Sequence, residues 1–209
     1  VNKRGEFVFS VSGGVFDIYV NGESFEVSWL AIVENRELFE TAKTIFERNN
    51  VLKISHDFKE LAKFLLGYGI ELGGPGFDTK LAAYLLNSDR KDYSLEKIYF
   101  DEFQETISEK AGMPPFFISK LKERQSDRIS KEKLKWLFEN IEVPTARILA
   151  EMELRGVLID AKAIAKLSKL VTGKVGDLEK EIHKLAGKEF NINSPKQLGE
   201  ILFENLKNF

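Results

Sequence analysis

Cysteine is absent from the 209 residues, and histidine occurs only twice. Without cysteine the chain can form neither a disulfide framework nor a thiolate metal site. No stretch approaches the roughly 18 consecutive apolar residues that a membrane helix needs, and no apolar segment of signal-peptide type follows the first residues. The sequence therefore predicts a cytoplasmic protein without a membrane partner. It begins with Val1 instead of Met, as we expect of a piece of a longer chain.

A large charge excess is also missing, since the formal net charge is −2. A strong nucleic-acid binder usually carries a basic excess, so the total charge speaks against one. The charge is uneven, however: residues 161–209 carry nine Lys and six Asp or Glu, and the remainder of the chain is acidic. Two interpretations of the basic end stay open, an affinity for DNA and a lysine-rich helix face in solvent.

Alternation of apolar and polar residues marks the start of the chain as β structure. Two such runs, 6–12 and 16–20, precede Asn21-Gly22, a hairpin signal because both turn residues must reach positive φ. A third run, 25–29, ends on Trp29. The pattern predicts three antiparallel strands.

The pattern then changes to helices separated by short strands. Helical spacing covers 34–48, and a buried strand over 51–55 leads to a helix over 57–66. The glycines that follow predict loops up to a helix capped by Asp78. A hairpin followed by alternating helices and strands predicts an α/β fold, in which helices flank a mixed sheet.

Beyond residue 100 the sequence predicts only helices. They are expected over 102–110, 114–123, 129–142, 145–155 and 162–186. The longest carries an apolar stripe at three- and four-residue steps, made of Ile164, Leu167, Val171, Val175, Leu178, Ile182 and Leu185. Such a stripe needs a partner, and without one it favours association between molecules.

Four segments carry a resemblance to a known family. They are Tyr68-Gly-Ile-Glu-Leu72, Phe77-Asp-Thr-Lys-Leu-Ala-Ala-Tyr-Leu-Leu-Asn87, Ile148-Leu-Ala-Glu-Met-Glu-Leu-Arg-Gly-Val-Leu-Ile-Asp160 and Asn191-Ile-Asn-Ser-Pro-Lys-Gln-Leu198. In this order they resemble the bacterial family A DNA polymerases. The resemblance implies a ribonuclease-H-like, 3′–5′ exonuclease-type domain over 1–137. It implies the junction and the N-terminal part of an α-helical polymerase thumb over 138–209, a thumb that is incomplete at Phe209.

The exonuclease of this family holds two divalent ions on carboxylates, and the matching positions here lack them. An Asp-x-Glu pair belongs on the first strand, where this sequence has Ser10 and Ser12. The next carboxylate falls on Leu61, although a shift of one residue would supply Glu60. A late Tyr-x-x-x-Asp is missing because no Tyr occurs between residues 100 and 140. Since hydroxyls and a leucine cannot hold hard cations, the resemblance implies no catalytic residue and no metal ligand. His56, a lone histidine at a strand end, is expected to be a hydrogen-bonded structural residue.

The resemblance also implies a DNA contact near the C-terminus. The matching thumb segment lies along the DNA backbone, which makes Asn191, Asn193, Ser194, Lys196 and Gln197 the candidate DNA-binding residues. Amide, hydroxyl and ammonium groups can reach phosphate oxygens without reading the base sequence. The same residues can also serve only to start a helix, with Ser194 as its cap, and both roles are compatible.

Three functions follow from these observations. The leading one is part of a DNA-directed DNA polymerase, in which the exonuclease-like domain is structural. Its partners would be duplex primer-template DNA and the remaining palm, fingers and thumb of the parent enzyme. Magnesium is expected for the parent polymerase, and no cofactor for this part, because the palm and fingers motifs do not occur in it. The alternatives are an active metal-dependent 3′–5′ exonuclease, which would have to recruit Glu6, Asp17, Glu60 and Asp78, and a non-catalytic interaction module.

Overall fold

A computed structural model of the chain describes residues 6–12, 15–20, 22–107 and 114–205, without the side chains of Glu6, Ser12 and Asn205. The chain divides into two compact units, Val1–Gly156 and Val157–Phe209. The first contains β1 (Glu6–Ser12), β2 (Val15–Val20), β3 (Glu23–Ser28), α1 (Trp29–Glu34), α2 (Arg36–Glu47), β4 (Leu52–Ser55), α3 (Phe58–Leu66), β5 (Pro75–Asp78), α4 (Thr79–Leu86), α5 (Leu95–Phe103), α6 (Pro114–Lys131), α7 (Lys135–Leu137), a π-helical turn (Phe138–Glu142) and α8 (Val143–Arg155). The second contains α9 (Ala161–Ala186), α10 (Pro195–Gly199) and a π-helical segment (Glu200–Asn205).

The five strands form one mixed sheet in the order β3-β2-β1-β4-β5. β1, β2 and β3 pair antiparallel, as the hairpin signal predicts. β4 and β5 continue the sheet parallel to β1, because helices lie between these strands in the sequence and return the chain to the same end. The predicted α/β class with a mixed sheet is confirmed.

Successive side chains along the strands point to opposite faces of the sheet, and helices pack on both faces. On one face the rings of Phe9 and Phe16 lie 5.0 Å and 5.6 Å from that of Phe46 in α2. On the other face Tyr19, which pairs with Val8, meets the ring of Phe116 in α6 at 6.0 Å. The core of the first unit is therefore formed on both faces of the sheet.

Two predictions for the sheet are wrong. Trp29 is not the end of a third strand but the first residue of α1, where it is buried against Phe16. The glycines before Asp78 do not form only loops, because Pro75–Asp78 pairs with β4 as an edge strand. A Cβ at Gly76 would lie 3.0 Å from the carbonyl oxygen of Lys53, so glycine allows this close pairing.

The helices after residue 90 also differ from the prediction. In place of a helix over 102–110, α5 ends at Phe103, and residues 108–110 lie outside the described part. α6 runs on to Lys131, because Leu121, Gln125 and Ile129 form one buried stripe. The polar Gln125 interrupts the hydrophobic pattern and so hides this stripe in the sequence.

The first unit continues past residue 137, the predicted end of the first domain. The ring of Phe138 lies 4.9 Å from that of Phe77 in β5. On α8 the small residues Ala146 and Ala150 are buried, which lets this helix pack closely on α3. The assignment of residues 138–209 to a junction and thumb stays a prediction.

The long helix of the second unit agrees with the sequence. α9 starts after Asp160, whose carboxylate accepts hydrogen bonds from the backbone N–H groups of Lys162 and Ala163, and it ends at Gly187 with a φ of 70°. Its apolar stripe is between 36% and 70% exposed. Within the described residues, no helix is long and apolar enough to cross a membrane.

Candidate functional site

Where the resemblance places a nuclease centre, the first unit has a cleft of about 430 Å³ beside β4 and α3. Glu60 and Leu61 line it, together with His56, Asp57 and Val11. Ser10 is not among its lining residues, and its hydroxyl donates to Asp17 at 3.0 Å on the sheet face opposite to Val11. The positions predicted from the family's metal motifs are therefore not gathered around one point.

Lysines neutralise the acidic side chains at this cleft. The ammonium of Lys63 lies 3.0 Å from the Glu60 carboxylate and 2.8 Å from that of Glu153 in α8. The ammonium of Lys59 approaches the second oxygen of Glu153 to 2.7 Å. We call these four residues the Glu153 cluster. Hydrogen bonds from Lys59 and then Lys63 hold the pKa of the Glu153 carboxyl down to about 2.

The sequence gives only a weak signal for this cluster. Lys59 and Lys63 are four residues apart and so share one helix face. Their partner Glu153 is 94 residues from Lys59, and neither charge nor spacing connects the two. The pairing becomes visible only once α8 packs on α3.

Asp78 is fully committed to backbone hydrogen bonds. Its carboxylate accepts the N–H groups of Asp57 and Phe58 at the start of α3 and those of Lys80 and Leu81 at the start of α4. Burial raises the pKa of this carboxyl to about 6, against the opposing effect of the four donors. Asp78 thus caps α3 and α4, in agreement with the cap predicted for α4.

His56 is held at both ring nitrogens. Nε2 donates to the carbonyl oxygen of Tyr93 at 3.0 Å, and Nδ1 accepts from the hydroxyl of Thr79 at 2.9 Å. Burial lowers the pKa of His56 to about 4, so the ring is neutral at pH 7. No ring lone pair is left for a ligand, which agrees with the structural role predicted for this residue.

These residues do not fit a pair of divalent ions. Ser10 and Leu61 offer no carboxylate, and Asp17, Glu60 and Asp78 are each engaged elsewhere. In the ranges that the structure describes, no three His, Asp or Glu side chains lie close enough to hold a metal together. The Glu6 side chain lies outside those ranges.

The candidate DNA-binding residues lie together in the second unit, at the start of α10. Gln197 Oε1 accepts the N–H of Asn191 at 2.8 Å, and Asn191 Oδ1 accepts the N–H of Asn193 at 3.0 Å. Ser194 Oγ accepts the N–H of Gln197, as its predicted role as a cap requires. The segment thus uses the side-chain oxygens of Asn191, Ser194 and Gln197 internally. In this described stretch the side-chain amide nitrogens of Asn191, Asn193 and Gln197 and the ammonium of Lys196 have no protein partner.

The comparisons with known proteins agree with one another. Residues 161–209 match the sequence model of DNA polymerase family A. DNA polymerase I of Bacillus subtilis (strain 168) is 36% identical over 188 residues, which cover 80% of this chain and 21% of that protein. The thermostable DNA polymerase I of Thermus thermophilus is 38% identical over 149 residues, which cover 71% of this chain and 17% of that protein.

A solved structure supports the fold. The POL domain of Pol1 from M. smegmatis, in complex with a DNA primer-template and dNTP, superposes with a TM-score of 0.84 at 21% identity. It covers 99% of this chain, which corresponds to 38% of that one. The chain spans about a fifth of the length of the polymerases that it matches in sequence. On these matches, the chain belongs to DNA polymerase family A, as a bacterial DNA polymerase I segment.

Proposed function

We propose that the chain is part of a DNA-directed DNA polymerase that acts in replication and repair. In this proposal the first unit is a ribonuclease-H-like, exonuclease-type domain that has lost nuclease activity and serves as a scaffold. The main support is that residues without a carboxylate stand at the predicted ligand positions. Leu61 is buried in the core, and the hydroxyl of Ser10 donates a hydrogen bond to Asp17. A cytoplasmic location and a magnesium requirement of the whole polymerase remain predictions.

The test is digestion of 3′-labelled single-stranded DNA by the purified chain with magnesium or manganese. We expect no digestion with either ion, because no set of carboxylates in the described residues is available to hold one. Glu60→Ala serves as the critical variant, and Glu40→Ala removes an exposed carboxylate of α2 as the matched control. Digestion that disappears in Glu60→Ala but persists in Glu40→Ala would establish the alternative, an active exonuclease.

We propose further that the second unit contributes to holding duplex DNA. The supporting observation is that three side-chain oxygens of the segment 191–197, those of Asn191, Ser194 and Gln197, accept hydrogen bonds within it. The side-chain nitrogens of the segment donate to no group of the described residues. Phosphate oxygens accept hydrogen bonds, so a surface with spare donors suits the DNA backbone. Such contacts position the duplex without sequence preference.

Fluorescence anisotropy with a short labelled duplex tests this contact. Lys196→Ala is expected to weaken binding and to reduce the slope of log affinity against log salt by about one. Lys188→Ala, an exposed lysine outside the segment, is the control and should change binding less. Equal effects of the two changes would point to nonspecific attraction, and affinity for a protein partner without affinity for DNA would favour the interaction module.

A further inference from the structure

The last turn of α8 lines one side of the cleft, and it is attached to the first unit by few buried side chains. Val143, Ala146 and Ala150 anchor the first part of α8 in the core. Beyond Ala150 every residue up to Arg155 is exposed. Leu154, which lines the cleft, lies in this last turn and is itself 49% exposed.

Ion pairs take the place of apolar burial in this last turn. Both carboxylate oxygens of Glu153 are engaged, one by Lys59 and the other by Lys63. Lys63 is in turn held by Glu60 at the cleft. The other ion pairs of α8 are made by Arg147, which lies nearer the beginning of the helix and contacts Glu71 and Glu151. The Glu153 cluster is therefore the contact that fixes the last turn on α3.

We propose that the last turn of α8 is a movable strap over the cleft, closed by the pairing of Glu153 with Lys59 and Lys63. When the pairs are formed, Leu154 stands at the cleft, and the side chains of Val11, Leu61 and Phe64 behind it are shielded. When they are broken, the turn loses its main attachment and the cleft opens. Since exposed ion pairs weaken as salt rises, opening increases with ionic strength.

This inference goes beyond the proposed function. It concerns access to the cleft and holds whether or not the cleft ever acts on DNA. It also gives the cleft a structural role, as the surface on which the last turn of α8 packs.

The absence of native cysteine allows a clean test in the full chain. Val11→Cys places one thiol in the cleft, and its reaction with the uncharged reagent 4,4′-dithiodipyridine reports access. Adding Glu153→Gln, or raising sodium chloride from 0.05 to 1 M, is expected to increase the rate about two- to fivefold, the range that exposed ion pairs provide. An uncharged reagent is needed because the Glu153 change alters the local potential.

Two controls separate a strap from a general loosening. Glu151→Gln removes a carboxylate from the same turn but leaves Glu153 in place, and it should not change the rate. Ser24→Cys, on the exposed edge strand β3, should react equally in every background. Hydrogen exchange gives an independent readout: Glu153→Gln should speed exchange of the Gly156 amide, which bonds to Met152, and leave that of Ala150 unchanged.

A rate at Val11→Cys that responds neither to Glu153→Gln nor to salt would overturn the proposal. The proposal also fails if Glu151→Gln raises the rate as much as Glu153→Gln. DNA digestion by the chain bears only on the proposed function, so failure of either idea can be told from failure of the other.

Discussion

Asp78 links more backbone groups near the cleft than any other single side chain discussed above. One buried carboxylate accepts four backbone N–H groups that would otherwise be left without partners at two helix starts. The ion pair of Asp57 with Lys80 links the same two helices nearer the surface. The end of β5 thus orients both α3 and α4.

Asp78→Ala is expected to lower the free energy of unfolding by about 2–4 kcal/mol, because it removes the cap of two helices and leaves buried donors unpaired. The comparison is Asn35→Ala, which removes the exposed cap of a single helix, α2, and should cost about 1 kcal/mol. Urea denaturation of both variants measures the difference. Equal decreases in the free energy of unfolding would show that Asp78 stabilises no more than one helix start.

A second residue prediction concerns the charge of His56. Its pKa of about 4 in the folded chain lies below the ordinary value of 6.5, so its contribution to stability is complete above pH 6.5. As the pH falls from 6.5 to 4 that contribution is lost, by an amount on the order of 3 kcal/mol. Asp78 acts in the opposite sense, since its raised pKa makes its contribution decline as the pH rises through about 6.

NMR titration of the His56 ring separates the two groups. The ring resonances should stay at their neutral positions down to about pH 5. A titration midpoint near 6.5 would contradict the buried, doubly bonded ring. His56→Gln provides the assignment and should remove the corresponding part of the pH dependence of stability.

At the scale of elements, α9 carries two glycines that its packing does not require. An added Cβ would meet no atom within 4 Å at either Gly173 or Gly176. Because glycine in a helix interior costs about 1 kcal/mol relative to alanine, Gly173→Ala and Gly176→Ala should each slow hydrogen exchange of the α9 amides. Gly187→Ala is the contrast, since its φ of 70° disfavours any side chain, and it should speed exchange. Faster exchange in all three variants would mean that the two interior glycines are needed for packing after all.

Helices and strands could be predicted where a single local sequence pattern determines them. The pairing of β2 with β3, predicted from the turn signal, and the apolar stripe of α9 each rest on one local pattern, and the structure agrees with both. Asn21 itself lies outside the described residues. Prediction failed where a buried helix stripe includes a polar residue, where a strand contains glycine, and where one residue fits two patterns. Gln125 hides the length of α6, and Gly76 in an edge strand looks like a loop. Trp29 satisfies a strand pattern and a helix start equally well.

The candidate sites could be predicted only in part. The resemblance predicts that Ser10 and Leu61 stand where the family has metal-binding carboxylates, because those positions follow from local motifs, and this stays a prediction. The pairing of Glu60 with Lys63 follows from their spacing of three residues in one helix. Their connection to Glu153 could not be predicted, since it depends on packing between helices that are distant in the sequence. For the segment 191–197 the residues could be named from the sequence, and the structure adds that three of their side-chain oxygens already accept hydrogen bonds within the segment.

At the scale of the whole molecule, the chain forms two compact units with different properties. The first has a core on both faces of a sheet and a cleft in which lysines and backbone amides engage the acidic side chains. The second has a long helix with an exposed apolar stripe and a short segment with spare hydrogen-bond donors. In the proposed polymerase, the first unit supplies rigidity and the second contacts the DNA backbone.

A manganese titration of the ¹⁵N-labelled chain by NMR tests most directly the proposal that the first unit holds no nuclease metal centre. Bound manganese broadens the resonances of nearby amides. We expect no saturable broadening centred on Ser10, His56 and Glu60, and the same spectra for wild type and Glu60→Ala. Saturable broadening of these amides that disappears in Glu60→Ala would show a metal site in the cleft, and the first unit could then no longer be regarded as a scaffold alone.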